Sequence, residues 1–266
     1  SKFSSRLFFW LAGALLVATV FRMAKSLTGN TRQATGAAFI TAANPLVLIS
    51  ASRSIPDILL VLFLTVSAWG FLEILTDERP KKRYFWMAWI GAALAFETKG
   101  IPGAAFAGVS TLFLLLNPWK RKKIPDLIHW PAILTALVIA SSWFIIMYLE
   151  HGSIFLNSFY SDQVGERVSS RAGQSITNAF LGVGNLLAFS LPWIVIVFLQ
   201  IPKLKKHLIR TNPETKAVLG FTGVWVVVII LMSGAVFKFY DRYLLPVIPL
   251  VSLFFAWVII TSGALF

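Results

Sequence analysis

The sequence predicts an all-α polytopic membrane protein, and three observations support this fold class. Hydrophobic residues make up 57% of the 266 residues, only 13% are charged, and the mean hydropathy is +0.77. A soluble domain of this composition would lack the polar surface that solvates it. The apolar residues fall in runs of about 20, which is the length a helix needs to cross a bilayer core. These runs lack the alternating pattern of membrane β-strands.

We predict about nine transmembrane helices in one transmembrane domain that covers residues 1–266. The candidate spans are residues 5–24, 34–51, 57–75, 84–97, 101–116, 130–149, 180–200, 217–237 and 243–263. The fourth and fifth spans are short and meet at residues 99–103, Lys-Gly-Ile-Pro-Gly. Gly and Pro in this spacing favour a turn, so we expect a tight helical hairpin there.

Alternate loops between these spans differ strongly in their content of basic residues. Residues 22–32, 79–83, 120–123 and 203–216 contain sixteen of the 24 Lys and Arg residues. Short loops rich in Lys and Arg stay in the cytoplasm, so we predict a multi-pass protein of the cytoplasmic (inner) membrane with its active face outside. The net charge of +13 then indicates contact with membrane lipids and no nucleic acid.

The predicted topology places Ser1 outside, although the sequence begins with neither Met nor a signal peptide. A first span that enters from outside usually has another span before it. We therefore expect an earlier span and an earlier outer loop upstream of Ser1. The chain contains no Cys, which excludes disulfide and thiolate chemistry within it.

Ionisable residues at the ends of apolar segments fall on the less basic face. They are Arg53, Asp57, Glu97, Lys99, Glu150, His151, Lys238, Asp241 and Arg242. An ionised side chain at the centre of a membrane helix costs about 2.5–3.5 kcal/mol on insertion scales, so such a residue needs a partner or a function. The clustering predicts a functional site at this face.

Asp57 follows Arg53 and Pro56 at the predicted start of the third span. Proline is tolerated at a helix start because the missing N–H has no partner there, and the helix dipole stabilises a carboxylate in the first turn. Asp57 is therefore either a helix-start residue paired with Arg53 or a carboxylate that faces a polar cavity at the membrane edge.

Glu97 and Lys99 interrupt the apolar stretch just before the predicted hairpin. They could form a local ion pair that closes the turn. Alternatively, Lys99 could bind a lipid phosphate at headgroup depth, because its ammonium has three donors on a flexible stem.

Glu150 and His151 at the end of the sixth span are weak candidates for metal ligands, because an adjacent pair is more often the solvated start of a loop. A divalent metal stays possible, and no other cofactor is assigned. Residues 152–179 form the only long outer loop that we predict. Its aromatic first part could lie in the membrane interface, and its polar second part contains Arg167; loops of this length are often functional lids.

Residues 238–246 place Lys238, Tyr240, Asp241 and Arg242 in one short outer connection. They could be solvated turn residues. A site for a phosphate and a sugar would combine cations with aromatic rings in this way.

Four segments, in order along the chain, resemble the GT-C superfamily of membrane glycosyltransferases, in its protein-mannosyltransferase-like and lipid A aminoarabinose transferase-like group. Residues 53–60 resemble its R-x-x-x-P-D-x-x-L segment, and residues 91–102 resemble its G-L-A-x-L-T-K-G-P hairpin. Residues 191–193 match its P-W pair, and residues 237–249 resemble its K-x-x-x-R-Y-L-L-P-x-x-P segment. The resemblance extends over nearly the whole chain.

This resemblance implies an inverting glycosyltransferase that uses a polyprenyl-phosphate-linked sugar donor. The acceptor would be a lipid, glycan or protein on the outer face, as in lipopolysaccharide or protein glycosylation. A catalytic carboxylate of the family lies in the first outer loop, which we expect upstream of Ser1. Asp57 matches a second acidic position and is our catalytic candidate. The substrate-binding candidates are Arg53, Glu97, Lys99, Arg167, Lys238, Tyr240 and Arg242.

In such an enzyme a general base deprotonates the acceptor hydroxyl. Fixed cations stabilise the charge on the departing lipid phosphate, and our candidates are Lys99, Lys238 and Arg242. Two alternatives are a lipid-phosphate transporter or flippase and a non-catalytic membrane subunit. A transporter should show repeat symmetry and broken helices near the bilayer midplane. Here the charges lie at span ends, which favours the enzyme.

Overall fold

The structure is a computed structural model, and it describes residues 2–53, 55–161, 172–236 and 239–263. All regular secondary structure in these ranges is helical. The helices are α1 (Lys2–Thr28), α2 (Thr31–Ala43), α3 (Pro45–Ser52), α4 (Asp57–Thr76), α5 (Lys82–Lys99), α6 (Ile101–Leu116), α7 (Ile124–Leu127), α8 (Trp130–Tyr160), α9 (Ala172–Phe189), α10 (Trp193–Leu199), α11 (Ile201–Arg210), α12 (Pro213–Gly234), the 3₁₀-helix (Asp241–Val247) and α13 (Ile248–Thr261).

Several of these helices are long and apolar enough to cross a membrane, which confirms the predicted class of all-helical, multi-pass membrane protein. Within the described residues, α1, α4, α8, α12 and the 3₁₀-helix continued by α13 meet this criterion by length and composition. The bent pairs α2–α3 and α9–α10 raise the number from five to as many as seven. The predicted number of about nine is not confirmed, because α6 is short and α5 contains charged residues at both ends.

Helix α4 is buried along most of its length and packs antiparallel to α5 at very short range. A Cβ atom added to Gly70 would overlap the backbone nitrogen of Ala88, and one added to Gly91 would lie 2.8 Å from the backbone nitrogen of Ser67. The hydroxyl of Ser67 donates to the carbonyl of Ala88 at 2.8 Å. This close packing aligns the start of α4 with the end of α5.

The α5–α6 connection is the tight hairpin that the sequence predicts. Helix α5 ends at Lys99, and α6 begins at Ile101. Gly100 between them has a φ of +68°, a conformation that residues with a Cβ adopt only with strain. The turn therefore fixes Lys99 at the last position of α5.

The predicted basic loops share one end of the helix bundle. Lys120 Nζ lies 2.6 Å from the carbonyl oxygen of Thr76 and 3.1 Å from Glu214 Oε1. Partial burial disfavours the Lys120 cation, but hydrogen bonds to Glu214 and to Glu78 outweigh this effect and raise its pKa. Thr28, Thr76 and Asn212 line one cavity of about 470 Å³, which places the first basic loop at the same end.

The predicted outer loop at residues 152–179 is largely helical where it is described, which corrects that prediction. Helix α8 continues to Tyr160 and α9 begins at Ala172, with a sharp kink at Gly152, whose φ is +60°. In a straight helix Trp143 and Phe155 would lie about 18 Å apart along the axis, but their ring centroids are 5.2 Å apart. The aromatic sequence therefore folds back and packs against α8.

Candidate functional site

Asp57 is the first residue of α4, directly after Pro56, and its carboxylate is buried. Its side chain is 5% exposed, and its Oδ1 atom accepts a hydrogen bond from Nζ of Lys99. The close packing of α4 on α5 brings these two residues together from opposite ends of their helices. A buried carboxylate without a partner would be costly, so the ion pair explains how Asp57 is accommodated.

A second cation reaches the same carboxylate from the 3₁₀-helix. Arg242 Nε lies 3.7 Å from Asp57 Oδ2, which is an ion pair but too long for a hydrogen bond. This Nε is buried and has no hydrogen-bond partner among the described residues. The fully buried Leu244 and Leu245 anchor the 3₁₀-helix in the core. Arg242 is thus held near Asp57 with unused donor capacity.

Two tyrosine rings flank these cations. Lys99 Nζ lies 5.2 Å from the ring centroid of Tyr243, and Arg242 Cζ lies 4.8 Å from that of Tyr240. Both distances are within the range of cation–π attraction. Tyr243 lies in the outer connection of residues 238–246, in which the sequence predicts a mixture of cations and aromatic rings, but it was not among the predicted substrate-binding residues. We call Asp57, Lys99, Arg242, Tyr240 and Tyr243 the Asp57 cluster.

The charges of the Asp57 cluster do not cancel. Asp241, the other acid near Arg242 in sequence, accepts a hydrogen bond from the Asn185 amide at 2.8 Å. Among the described residues, Asp57 is the acid that forms ion pairs with both Lys99 and Arg242, so these three side chains carry one more cation than anion. Such an arrangement can bind a phosphate through charge-assisted hydrogen bonds.

Glu97 lies in a cavity of about 340 Å³ next to the Asp57 cluster. Lys99, Trp143, Phe144 and Phe159 also line this cavity. Glu97 Oε1 is buried and has no hydrogen-bond partner within the described part of the chain. The local Glu97–Lys99 ion pair considered from the sequence is not formed, because Lys99 turns to Asp57 instead. The cavity thus contains an unsatisfied acceptor between aromatic walls.

Arg53 does not occupy the position expected from the sequence. It is the exposed C-cap residue of α3, in an extended backbone conformation, and it forms no ion pair with Asp57 in the ranges that the structure describes. Arg167 and Lys238 lie outside the described residues.

The Glu150–His151 pair is exposed. The His151 Nε2 and Glu150 Oε2 atoms are 3.8 Å apart, and more than half of each side chain is exposed. No third metal ligand joins them, because the described residues contain no group of three His, Cys, Asp or Glu side chains that could hold a metal ion. The metal assignment of these two residues stays a weak prediction.

Comparison with known proteins gives a family match. The family model described as dolichyl-phosphate-mannose-protein mannosyltransferase matches residues 1–146, more than half of the chain. An uncharacterised protein of Aquifex aeolicus is 25% identical over 255 residues, which cover 93% of this chain and 47% of that protein. A polyprenol-phosphate-mannose–protein mannosyltransferase of Corynebacterium glutamicum is 26% identical over 134 residues, covering 42% of this chain and 25% of the relative.

Solved structures share the fold. The crystal structure of ArnT from Cupriavidus metallidurans bound to undecaprenyl phosphate matches with a TM-score of 0.76 and 21% identity, covering 96% of this chain and 46% of ArnT. The apo structure of the same protein matches with a TM-score of 0.73 and 19% identity, covering 96% and 45%. The chain thus spans about half or less of the length of the proteins it matches.

Proposed function

We propose that this chain, which belongs to the dolichyl-phosphate-mannose-protein mannosyltransferase family, forms the donor-binding core of a membrane glycosyltransferase. The enzyme would transfer a sugar from a polyprenyl-phosphate donor to a lipid, glycan or protein acceptor. The observation that carries this proposal is the Asp57 cluster, in which one buried carboxylate holds two cations at one end of the bundle.

The chemistry of the transfer explains the two cations. The acceptor oxygen attacks the anomeric carbon while a general base takes its proton, and the bond between the anomeric carbon and the phosphate oxygen breaks. The bonding electrons stay with the lipid phosphate, whose charge becomes more negative by one. Lys99 and Arg242 are placed to stabilise this charge, and preorganised cations do so without reorganising during the reaction.

Asp57 acts in this proposal as a positioning residue for the two cations. Each of its oxygens faces a cation, Oδ1 that of Lys99 and Oδ2 that of Arg242. Cations engage both of its oxygens, so the carboxylate is poorly placed to take a proton from an acceptor hydroxyl. Orientation of Lys99 and Arg242 is therefore the role that its contacts support best.

We place this site on the outer face of the cytoplasmic membrane. The support is geometric: Asp57 begins α4, whereas Thr76 at the other end of α4 contacts the basic loop of Lys120. By the positive-inside rule the basic end faces the cytoplasm. The relatives agree with this chemistry, since one is named for a polyprenol-phosphate-mannose donor and another was crystallised with undecaprenyl phosphate.

A transfer assay in proteoliposomes tests the proposal. The full-length protein is reconstituted with radiolabelled polyprenyl-phosphate mannose and glucose and with membrane extract as the source of acceptor. We expect one labelled sugar to reach an acceptor while polyprenyl phosphate is released. Movement of the donor between leaflets without this release would indicate a transporter and overturn the proposal. Absence of donor binding would instead indicate a non-catalytic subunit.

A further inference from the structure

The cavity that contains Glu97 adjoins the Asp57 cluster through a shared residue. The Lys99 side chain lines the cavity and also donates to Asp57. A phosphate bound by Lys99 and Arg242 would therefore carry its substituent at the mouth of this cavity. The residues that line the cavity indicate which substituent fits there.

One wall carries an unsatisfied carboxylate oxygen. Glu97 Oε1 is buried without a hydrogen-bond partner among the residues that are described. Lys99 is the cation nearest in sequence, and Asp57 engages it. Buried polar atoms are nearly always hydrogen-bonded in folded proteins, and an exception needs an explanation. A ligand that donates a hydrogen bond to Glu97 supplies one.

The other walls are aromatic rings held in place by one another. The Phe144 and Phe159 ring centroids are 5.1 Å apart, and those of Phe96 and Phe144 are 5.6 Å apart. The kink at Gly152 brings Phe159 back to this position. The cavity therefore combines apolar planes with the carboxylate of Glu97 and the side chain of Lys99, as small-molecule sites do that orient their ligand through a few polar groups.

We propose that this cavity binds the sugar ring of the donor and selects it through Glu97. A hydroxyl of the sugar donates to Glu97 Oε1, and the C–H face of the ring packs against Trp143, Phe144 and Phe159. This inference rests on the proposed function, because it assumes a polyprenyl-phosphate donor at the Asp57 cluster. The volume of about 340 Å³ lies in the range of pockets that enclose small ligands, about 300–1,000 Å³.

Other occupants fit the cavity less well. An isoprenoid tail would contact the aromatic rings but would leave Glu97 Oε1 without a donor. A second anionic group would be repelled by the Glu97 carboxylate. Glu97 also departs from the G-L-A-x-L-T-K-G-P segment that residues 91–102 resemble, which has leucine at this position.

Binding of matched lipids to the full-length protein in nanodiscs tests the inference. The probes are undecaprenyl phosphate and undecaprenyl phosphates linked to mannose, glucose or a 4-amino sugar. The wild type is expected to bind at least one neutral sugar donor about tenfold or more tightly than the bare lipid phosphate, as one hydrogen bond to a charged group allows. Glu97→Leu should abolish this preference without weakening the binding of undecaprenyl phosphate, because it removes an acidic group beside the phosphate site.

A second test variant is Glu97→Gln, and its matched control is Glu73→Gln. Glu73 is a buried glutamate that accepts a hydrogen bond from the Trp69 indole at 2.9 Å, whereas Glu97 is partly buried and its Oε1 atom has no such partner among the described residues. Glu73→Gln should keep the preference for sugar, whereas Glu97→Gln should reduce it. Without ligand, Glu97→Leu should melt no lower than the wild type, because it removes one buried acceptor atom, Glu97 Oε1, that has no hydrogen-bond partner among the described residues.

Three outcomes would overturn the inference, and they differ from failure of the proposed function. If Glu97→Leu lost affinity equally for undecaprenyl phosphate and for the sugar-linked lipid, Glu97 would support the phosphate site and not the sugar. A preference that survives Glu97→Leu, or one shown only by the amino sugar, would exclude the hydroxyl contact. Failure of the wild type to bind any of the lipids would overturn the proposed function itself.

Discussion

Asp57 and Lys99 are 42 residues apart in sequence, yet the Lys99 ammonium donates a hydrogen bond to the Asp57 carboxylate. The contact exists because α4 and α5 run antiparallel at a separation that only glycine permits at Gly70 and Gly91. The geometry of the charged site is therefore set by small residues far from the charges.

Gly70→Ala should disturb the site without touching it. The new methyl group would overlap the backbone of Ala88, and overpacking of this kind typically costs about 1–3 kcal/mol. We expect a lower melting temperature of the purified protein and weaker binding of undecaprenyl phosphate. Gly108→Ala is the matched control, because a Cβ at Gly108 meets no atom within 4 Å. Equal melting temperatures for both variants would contradict this account of the packing.

The sequence predicts the all-helical class and the α5–α6 hairpin because the signals for both are local. Apolar runs give the helices, and Gly100 gives the hairpin. The partner of Asp57 was less predictable: Arg53 is four residues away, but the extended backbone at the end of α3 keeps it from the carboxylate. Lys99 and Arg242 reach Asp57 only through the packing of distant elements, which no local pattern encodes.

The reversal at Gly152 was missed for a related reason. A single glycine in an aromatic segment is compatible with a loop, a straight helix or a kink. The kink is stabilised because the Phe155 ring packs against Trp143 and the Phe159 ring packs against Phe144. These contacts depend on the tertiary fold. The number of spans depends likewise on how short helices such as α5 and α6 sit in the bilayer, which hydropathy alone does not determine.

Topology can be tested by labelling single cysteines, because the chain contains none. Arg121 belongs to the basic end, and His151 belongs to the segment of α8 near the cavity; both are exposed. A membrane-impermeant maleimide should label His151→Cys in intact spheroplasts and Arg121→Cys only after lysis. Labelling of both sites from the same side would contradict an outer functional site.

Asp57→Asn should reduce turnover by at least ~100-fold, a typical effect for a group that organises transition-state charge. The substitution keeps the shape and removes the charge that orients Lys99 and Arg242. Asp126→Asn is the control, since Asp126 is also an acid in the first turn of a helix, where it accepts from the Lys123 backbone at 2.9 Å. Near-normal turnover of Asp57→Asn with a lowered melting temperature would mean that Asp57 only starts α4.

The net charge of the Asp57 cluster gives the most specific prediction for phosphate binding. Asp57, Lys99 and Arg242 together carry one positive charge, and Lys99→Ala reduces it to zero. The loss of a charge-assisted hydrogen bond is worth about 1.5–3 kcal/mol, so affinity for undecaprenyl phosphate should fall by about 10- to 150-fold. Lys99→Arg should have an affinity between those of Lys99→Ala and the wild type, because it keeps the charge but its guanidinium is planar and longer. Lys82→Ala, at the other end of α5, is the control and should leave the affinity for undecaprenyl phosphate unchanged.

Adding Asp57→Asn to Lys99→Ala separates net charge from a simple loss of structure. The double variant regains one positive charge, that of Arg242, and frees its guanidinium from the carboxylate 3.7 Å away. We therefore expect it to bind undecaprenyl phosphate more tightly than Lys99→Ala alone. Turnover should stay low, because Lys99 no longer stabilises the charge on the departing lipid phosphate. Isothermal titration in nanodiscs measures the first effect, and release of polyprenyl phosphate measures the second. If the double variant binds no better than Lys99→Ala, the excess positive charge is not what attracts the phosphate, because removal of the competing carboxylate would then have left the affinity unchanged.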